Sequence, residues 1–204
     1  MLRRLLLPLA FASLLACSDD EDSPGATGGA PGQTEQPINV LVVHPAQFVL
    51  ENTPLKRLAD GDPFDLWSAE QGGHVALVGA QIEGIVGDTI ELRARFNDPA
   101  TGRIIAEESR TVVVVPVPGS DTLKEPNLTV RSQVTHVPLC PDYEDYDVVD
   151  REVELVITVL EKYTSPPRRG QASVRVVPRC GDLAENQALC QCECTANYTL
   201  GKCK

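Results

Sequence analysis

The chain has 204 residues, a formal net charge of −11 and seven cysteines, a length that suits one or at most two compact domains with a real core. Its acidity argues against nucleic acid as a partner, because duplex binding draws on basic residues that neutralise phosphates, and beyond the N-terminus the densest basic clusters are the pairs Lys56-Arg57 and Arg168-Arg169. Aromatic residues make up only 4%, while valine comes in runs such as Val112 to Val115; this β-branched content predicts an all-β body.

The chain begins with Met1-Leu2-Arg3-Arg4, and an apolar stretch follows from Leu5 to Leu15, interrupted only by Pro8 and Ser13. Eleven residues are too few for a bilayer span, which needs about 20, and suit the apolar region of an export signal. Leu14-Leu15-Ala16-Cys17 closes that leader and resembles the lipobox of bacterial lipoproteins. The resemblance implies that residues 1–16 are removed and that Cys17 carries a thioether-linked diacylglycerol and an acylated amine. Each buried methylene contributes about 0.8 kcal/mol, so two or more chains hold a protein stably at a membrane where one does so only marginally.

Residues 17–37 carry Gly, Pro, Ser, Thr and acids and no large apolar side chain, which predicts a disordered tether with a reach of about 25 Å. Ser18 directly after the lipidated cysteine is similar to outer-membrane lipoproteins of Gram-negative bacteria. The acid block Asp19-Asp20-Glu21-Asp22 resembles the signal that sends some of them to the cell surface, so the body is expected to face either the periplasm or the outside.

From Ile38 onward the pattern changes. The periodicity predicts strands over 39–43 and 74–79. In the stretch 88–96, Ile90, Leu92, Ala94 and Phe96 share one face while Glu91, Arg93 and Arg95 share the other, which is the period-two signature of a half-buried strand. Further strands are expected at 104–105, 110–115 and 128–137, then at Val153, Leu155, Ile157 and Val159, and again at Val174 and Val176. Two short helices are expected as well, one over 53–61 with Pro54 in its first turn and Gly61 past its end, and one at the capping-box spacing Asp182-Leu183-Ala184-Glu185. Seven or eight short strands between Gly, Pro and Asp turns read as an antiparallel sandwich over 38–178. Within it, 38–72 is either part of the sandwich or an N-terminal extension. At the level of architecture this resembles immunoglobulin-like and fibronectin-type domains. Residues 179–204 form a cysteine-rich tail.

Assigning Cys17 to lipid leaves Cys140, Cys180, Cys190, Cys192, Cys194 and Cys203, an even set that suggests three disulfides in an oxidising envelope. Cysteines two apart in extended chain sit near the upper limit of disulfide geometry, so Cys190, Cys192 and Cys194 each look to one of the other three. The run from Cys192 to Cys203 resembles the closing hairpin of epidermal-growth-factor-like modules, with Asn197 where that family has glycine; this likeness implies Cys194 paired with Cys203. Zinc held by thiolates is the rival use of such a cluster, and an oxidising compartment disfavours it.

Candidate sites are few. Asp142, Glu144, Asp145, Asp147 and Asp150 could supply carboxylate oxygens to calcium, although the spacing is not that of an EF-hand and a solvated acidic loop accounts for it. Phe64, Leu66 and Trp67 form an apolar cluster that either caps the core or, if exposed, is a recognition patch. His44, His74 and His136 stand alone in sequence, and no G-x-S-x-G, HExxH or phosphate loop occurs. The expectation is an outer-membrane lipoprotein acting as a non-enzymatic binding or structural module, with an envelope protein or glycan as its partner and no cofactor beyond calcium. A cell-surface carbohydrate-binding module is the first rival and an envelope hydrolase without a signature the second.

Overall fold

The computed structural model describes residues 41–141, 146–181, 187–196, 198–199 and 201–203, all within the unit Pro37–Lys204. The expected leader over 1–16, Cys17 and the expected tether over 17–37 lie outside the described residues, as do Asp142, Glu144, Asp145 and the expected helix at 182–185.

The body is an all-β sandwich. Its strands are β1 (Val42–Gln47), β2 (Lys56–Arg57), β3 (Asp62–Asp65), β4 (Trp67–Ser68), β5 (His74–Glu83), β6 (Thr89–Asn97), β7 (Ile104–Pro116), β8 (Leu123–Pro126), β9 (Thr135–Cys140), β10 (Val153–Glu161) and β11 (Arg168–Arg179), and one helix, α1 (Gln187–Glu193), follows. One layer runs β7-β6-β10-β11-β3, and the other is built around β5, which pairs with β1, β4, β8 and β9. Strand β7 joins them: residues up to Val113 pair with β6, and residues from Val114 onward pair with β8.

The period-two expectation holds in detail. Ile90, Leu92, Ala94 and Phe96 of β6 and Val153, Leu155, Ile157 and Val159 of β10 are all buried. They join Val43 of β1 and Ala76, Val78, Ala80 and Ile82 of β5 in one core between the layers. Full burial of each large aliphatic side chain contributes about 1.5–3 kcal/mol. Strands β1 and β11 approach so closely that a Cβ on Gly170 would lie 2.4 Å from the Leu41 carbonyl oxygen. A smaller cluster of Ala46, Phe48, Leu55, Leu77, Leu128 and Val134 packs on the outer face of the β5 layer.

Three expectations are corrected. Among the described residues there are eleven strands rather than seven or eight, because β2, β3, β4 and β8 are two to four residues long, too short to show a period. The pairing is antiparallel except for β3, which runs parallel to β11. No helix forms over 53–61: Leu55 is buried in the outer cluster, its N–H donates to the buried carboxylate of Glu125 at 3.1 Å, and the Leu58 N–H donates to the Pro45 carbonyl at 2.9 Å. These tertiary bonds hold the segment extended against β1, overriding the local Pro and Gly signals.

The six body cysteines close three bridges, Cys140–Cys194, Cys180–Cys190 and Cys192–Cys203. The implied Cys194–Cys203 pair is therefore corrected. The growth-factor likeness presumes an extended C-x-C, whereas Cys190 to Glu193 is helical. Residues four apart share a helix face, so Cys190 and Cys194 both turn into the core, and exposed Cys192 is left for Cys203.

Candidate functional site

Two places gather polar side chains, and they lie on opposite faces of β4 and β5. The first is a cleft of about 560 Å³ on the outer face, bounded by Trp67, Glu70, Val75, Arg110, Arg131 and His136. The turn that follows β4 is made tight by Gly72 and Gly73, at φ +90° and +78°. The far wall is a single 3-10 turn, Arg131–Gln133.

Trp67 is the only tryptophan of the chain. Its ring lies 5.6 Å from that of Phe48 at a tilt of 53°, and the Arg131 guanidinium sits 5.7 Å from its centroid. The indole N–H is buried without a hydrogen-bond partner. Arg131 is held weakly, since its contact with Glu51 is 3.9 Å long and both side chains are nearly half exposed. Arg110 is better fixed: it donates to Glu108 at 2.6 Å and to the Ser132 carbonyl at 2.9 Å. His136 Nε2 lies 2.9 Å from the Arg131 carbonyl. The cleft thus offers an aromatic ring, an adjustable guanidinium and an apolar floor, the usual furnishing of a small polar-ligand site.

The expected patch of Phe64, Leu66 and Trp67 is not a patch. Phe64 and Leu66 are fully buried in the main core, Phe64 edge-to-face on Phe96 with ring centroids 5.9 Å apart. Only Trp67 reaches the cleft. The reason is alternation: positions 64 and 66 point inward, and 67 points outward.

The second place is inward, beneath α1. His74 is 2% exposed; its Nδ1 lies 3.0 Å from Glu193 Oε2 and its Nε2 lies 3.4 Å from Ser68 Oγ. Burial pushes the imidazole pKa below its ordinary value, and the Glu193 carboxylate only partly offsets this. A serine, a histidine and a carboxylate placed in this way resemble a nucleophile relay, and half-buried Ser68 is also among the residues that line the cleft. Ser68 pairs directly across from His74, so their side chains share the inner face while neighbouring Trp67 and Val75 pack with the outer cluster. The arrangement is a buried polar link between β4, β5 and the tail. Sequence reasoning missed it because Glu193 is remote from His74 along the chain.

The acidic loop is described only in part. Asp147 accepts the Ala196 N–H, and Asp150, at φ 58°, donates its own N–H to the Pro178 carbonyl at 2.8 Å. Both line a cavity shared with Arg151, Gln191 and Thr195, so the two described acids face the tail. His44 lies 3.1 Å from Glu83 at the surface. Among the described residues, no helix is long and apolar enough to cross a membrane. Compared with protein-family models and with curated protein sequences, the chain matches none.

Proposed function

We propose that the chain is an exported bacterial lipoprotein, acylated on Cys17 and held at the outer membrane by residues 17–37, whose disulfide-stapled sandwich serves as a non-enzymatic binding module of the cell envelope. The observation that carries this reading is the cysteine accounting. Six of the seven cysteines pair with one another, as suits an oxidising compartment, and the seventh is the one that ends the leader. Mass spectrometry of the mature protein tests it: the expected N-terminus is Cys17 bearing diacylglycerol and an N-acyl chain, and Cys17→Ser should leave the protein unacylated. A mature chain that retains residues 1–16, or starts elsewhere without lipid, removes the anchor.

The recognition surface is the Trp67 cleft, and a glycan is the ligand class it favours. Sugars offer both an apolar face for an aromatic ring and hydroxyls for guanidinium and imidazole groups. Arg131 covers the indole, so stacking requires that side chain to swing aside, and its weak hold on Glu51 permits this. Trp67 is the sole tryptophan, so tryptophan emission, excited selectively over the four tyrosines, reads the cleft. Titration with envelope glycans should shift that emission saturably, and Arg131→Ala should change the affinity. A panel that leaves the emission unchanged sends the search to protein partners.

A further inference from the structure

We propose that the end of the sandwich beneath α1 is a latent thiolate and imidazole site for a divalent cation of the zinc type, assembled when the bridges Cys140–Cys194 and Cys180–Cys190 are reduced. The inference rests on the fold and not on the lipid anchor or the cleft.

The geometry is close to what such an ion needs. An imidazole nitrogen of His74 and the sulfurs of Cys190 and Cys194 lie within 4.8 Å of one another, and all three residues are buried. The two sulfurs are 3.9 Å apart. Tetrahedral zinc binds thiolate at about 2.3 Å, which places two ligating sulfurs about 3.8 Å apart. Cys190 and Cys194 are thus already at the spacing of one tetrahedral edge, and the His74 nitrogen, within 4.8 Å of both sulfurs, has at most about 1 Å to close to reach the third corner. The fourth ligand comes from Cys140 or Cys180, each now bonded to one of these sulfurs.

The surroundings fit as well. A metal-bound imidazole is ordinarily steered by a carboxylate or hydroxyl on its other nitrogen. His74 has one of each, Glu193 Oε2 at 3.0 Å and Ser68 Oγ at 3.4 Å. Whichever nitrogen takes the ion, the other keeps a partner.

The chemistry balances as follows. A dithiol reductant delivers two electrons and two protons to each bridge and is itself oxidised to a disulfide. Two such events yield four thiols, at Cys140, Cys180, Cys190 and Cys194. Each sulfur that ligates the cation releases its proton to solvent. The ion then links β5, α1 and one further cysteine, so the tail stays docked by coordination where it had been docked by covalent bonds. The Cys192–Cys203 bridge plays no part, since Cys192 sits on the exposed side of α1.

The test uses the full chain with Cys17→Ser, Cys192→Ser and Cys203→Ser, so that the uninvolved thiols cannot bind metal. It is reduced with a phosphine, which is not itself a thiol, and titrated with Co²⁺ and then Zn²⁺. The expected result is one Co²⁺ per chain, with thiolate charge-transfer absorption and the visible bands of a tetrahedral ion, displaced by Zn²⁺. In the same background His74→Gln should lower the affinity by at least about a hundredfold, since loss of a mere supporting partner already costs roughly 10–100-fold. Glu193→Gln and Ser68→Ala leave every ligand in place, and whichever of them removes the partner of the non-ligating nitrogen should lower it by roughly 10–100-fold; this pair is the arm to read if reduced His74→Gln does not stay folded. Absence of the thiolate absorption overturns the proposal. So does Co²⁺ binding that none of these three substitutions weakens, because that is adventitious capture by loosened thiols.

Discussion

The sandwich interior and the tail end are held by different physics. Between the layers, β6 and β10 bury unbroken rows of apolar side chains and pair through nine-residue strands, with no covalent aid. At the tail, α1 is seven residues long and buries a single described residue, Cys190. A helix that short does not persist alone, and it offers little area to hold it down. Three bridges and the His74–Glu193 contact take the place of a hydrophobic face.

The largest effect should come from the interior. Phe96 is fully buried and packs edge-to-face on Phe64, so Phe96→Ala removes transfer energy and leaves a cavity, at about 3–5 kcal/mol. Chemical denaturation should show a lower midpoint for the whole body. A loss below about 1 kcal/mol would mean that the layers close over the gap and are less tightly packed than the burial implies.

Next come the bridges. By chain entropy, the Cys140–Cys194 closure, 54 residues apart, contributes about 4 kcal/mol, and the Cys192–Cys203 closure, 11 apart, about 3 kcal/mol. Replacing either pair by serine should follow that order in thermal unfolding. Hydrogen exchange sharpens the contrast: in Cys140→Ser/Cys194→Ser, amides of α1 should lose protection while those of β6 and β10 keep theirs. Equal loss in both would show that tail and interior unfold as one unit.

This division also explains what was readable in the sequence. Ile90 to Phe96 and Val153 to Val159 announce their burial, because alternation along a strand is a local property. The parity of the cysteines is equally local arithmetic. Strand β3 is different, since its parallel partner β11 lies at the far end of the body and a four-residue run shows no period. The bridge pattern turns on whether Cys190 to Cys194 is helical or extended, and the growth-factor likeness suggested the wrong choice. Trp67 was noticed, but only the fold separates it from Phe64 and Leu66. His74 and Glu193 carry no mutual signal at all; their meeting is a consequence of the bridges that seat α1.

A smaller effect tests how tightly the layers close. At Gly170 an added methyl would meet the Leu41 carbonyl oxygen at 2.4 Å and Val43 Cγ2 at 2.7 Å. Backbone cannot rotate away, so Gly170→Ala should cost about 1–3 kcal/mol. At Gly79 the nearest atom is Leu55 Cδ1 at 2.5 Å, the end of a side chain that can turn, and Gly79→Ala should cost less. Equal costs would show that Leu55 is as immovable as a main-chain carbonyl.

The smallest effect belongs to the tail and depends on pH. Burial lowers the His74 pKa in the folded protein, with Glu193 opposing that shift, whereas an unfolded histidine titrates near 6.5. Between those two values the unfolded chain binds a proton that the folded one refuses, so stability rises with pH there. The contribution is complete above about 6.5 and is lost as pH falls below it, down to the lowered folded value, at about 1.4 kcal/mol for each unit of depression. His74→Gln should remove this slope, read as the difference in melting temperature between parent and variant across that window. Glu193→Gln should steepen it, because taking away the carboxylate removes the interaction that supports the charged imidazole. If both variants track the parent at every pH, the inner face of β5 is as indifferent to protons as the apolar core beside it.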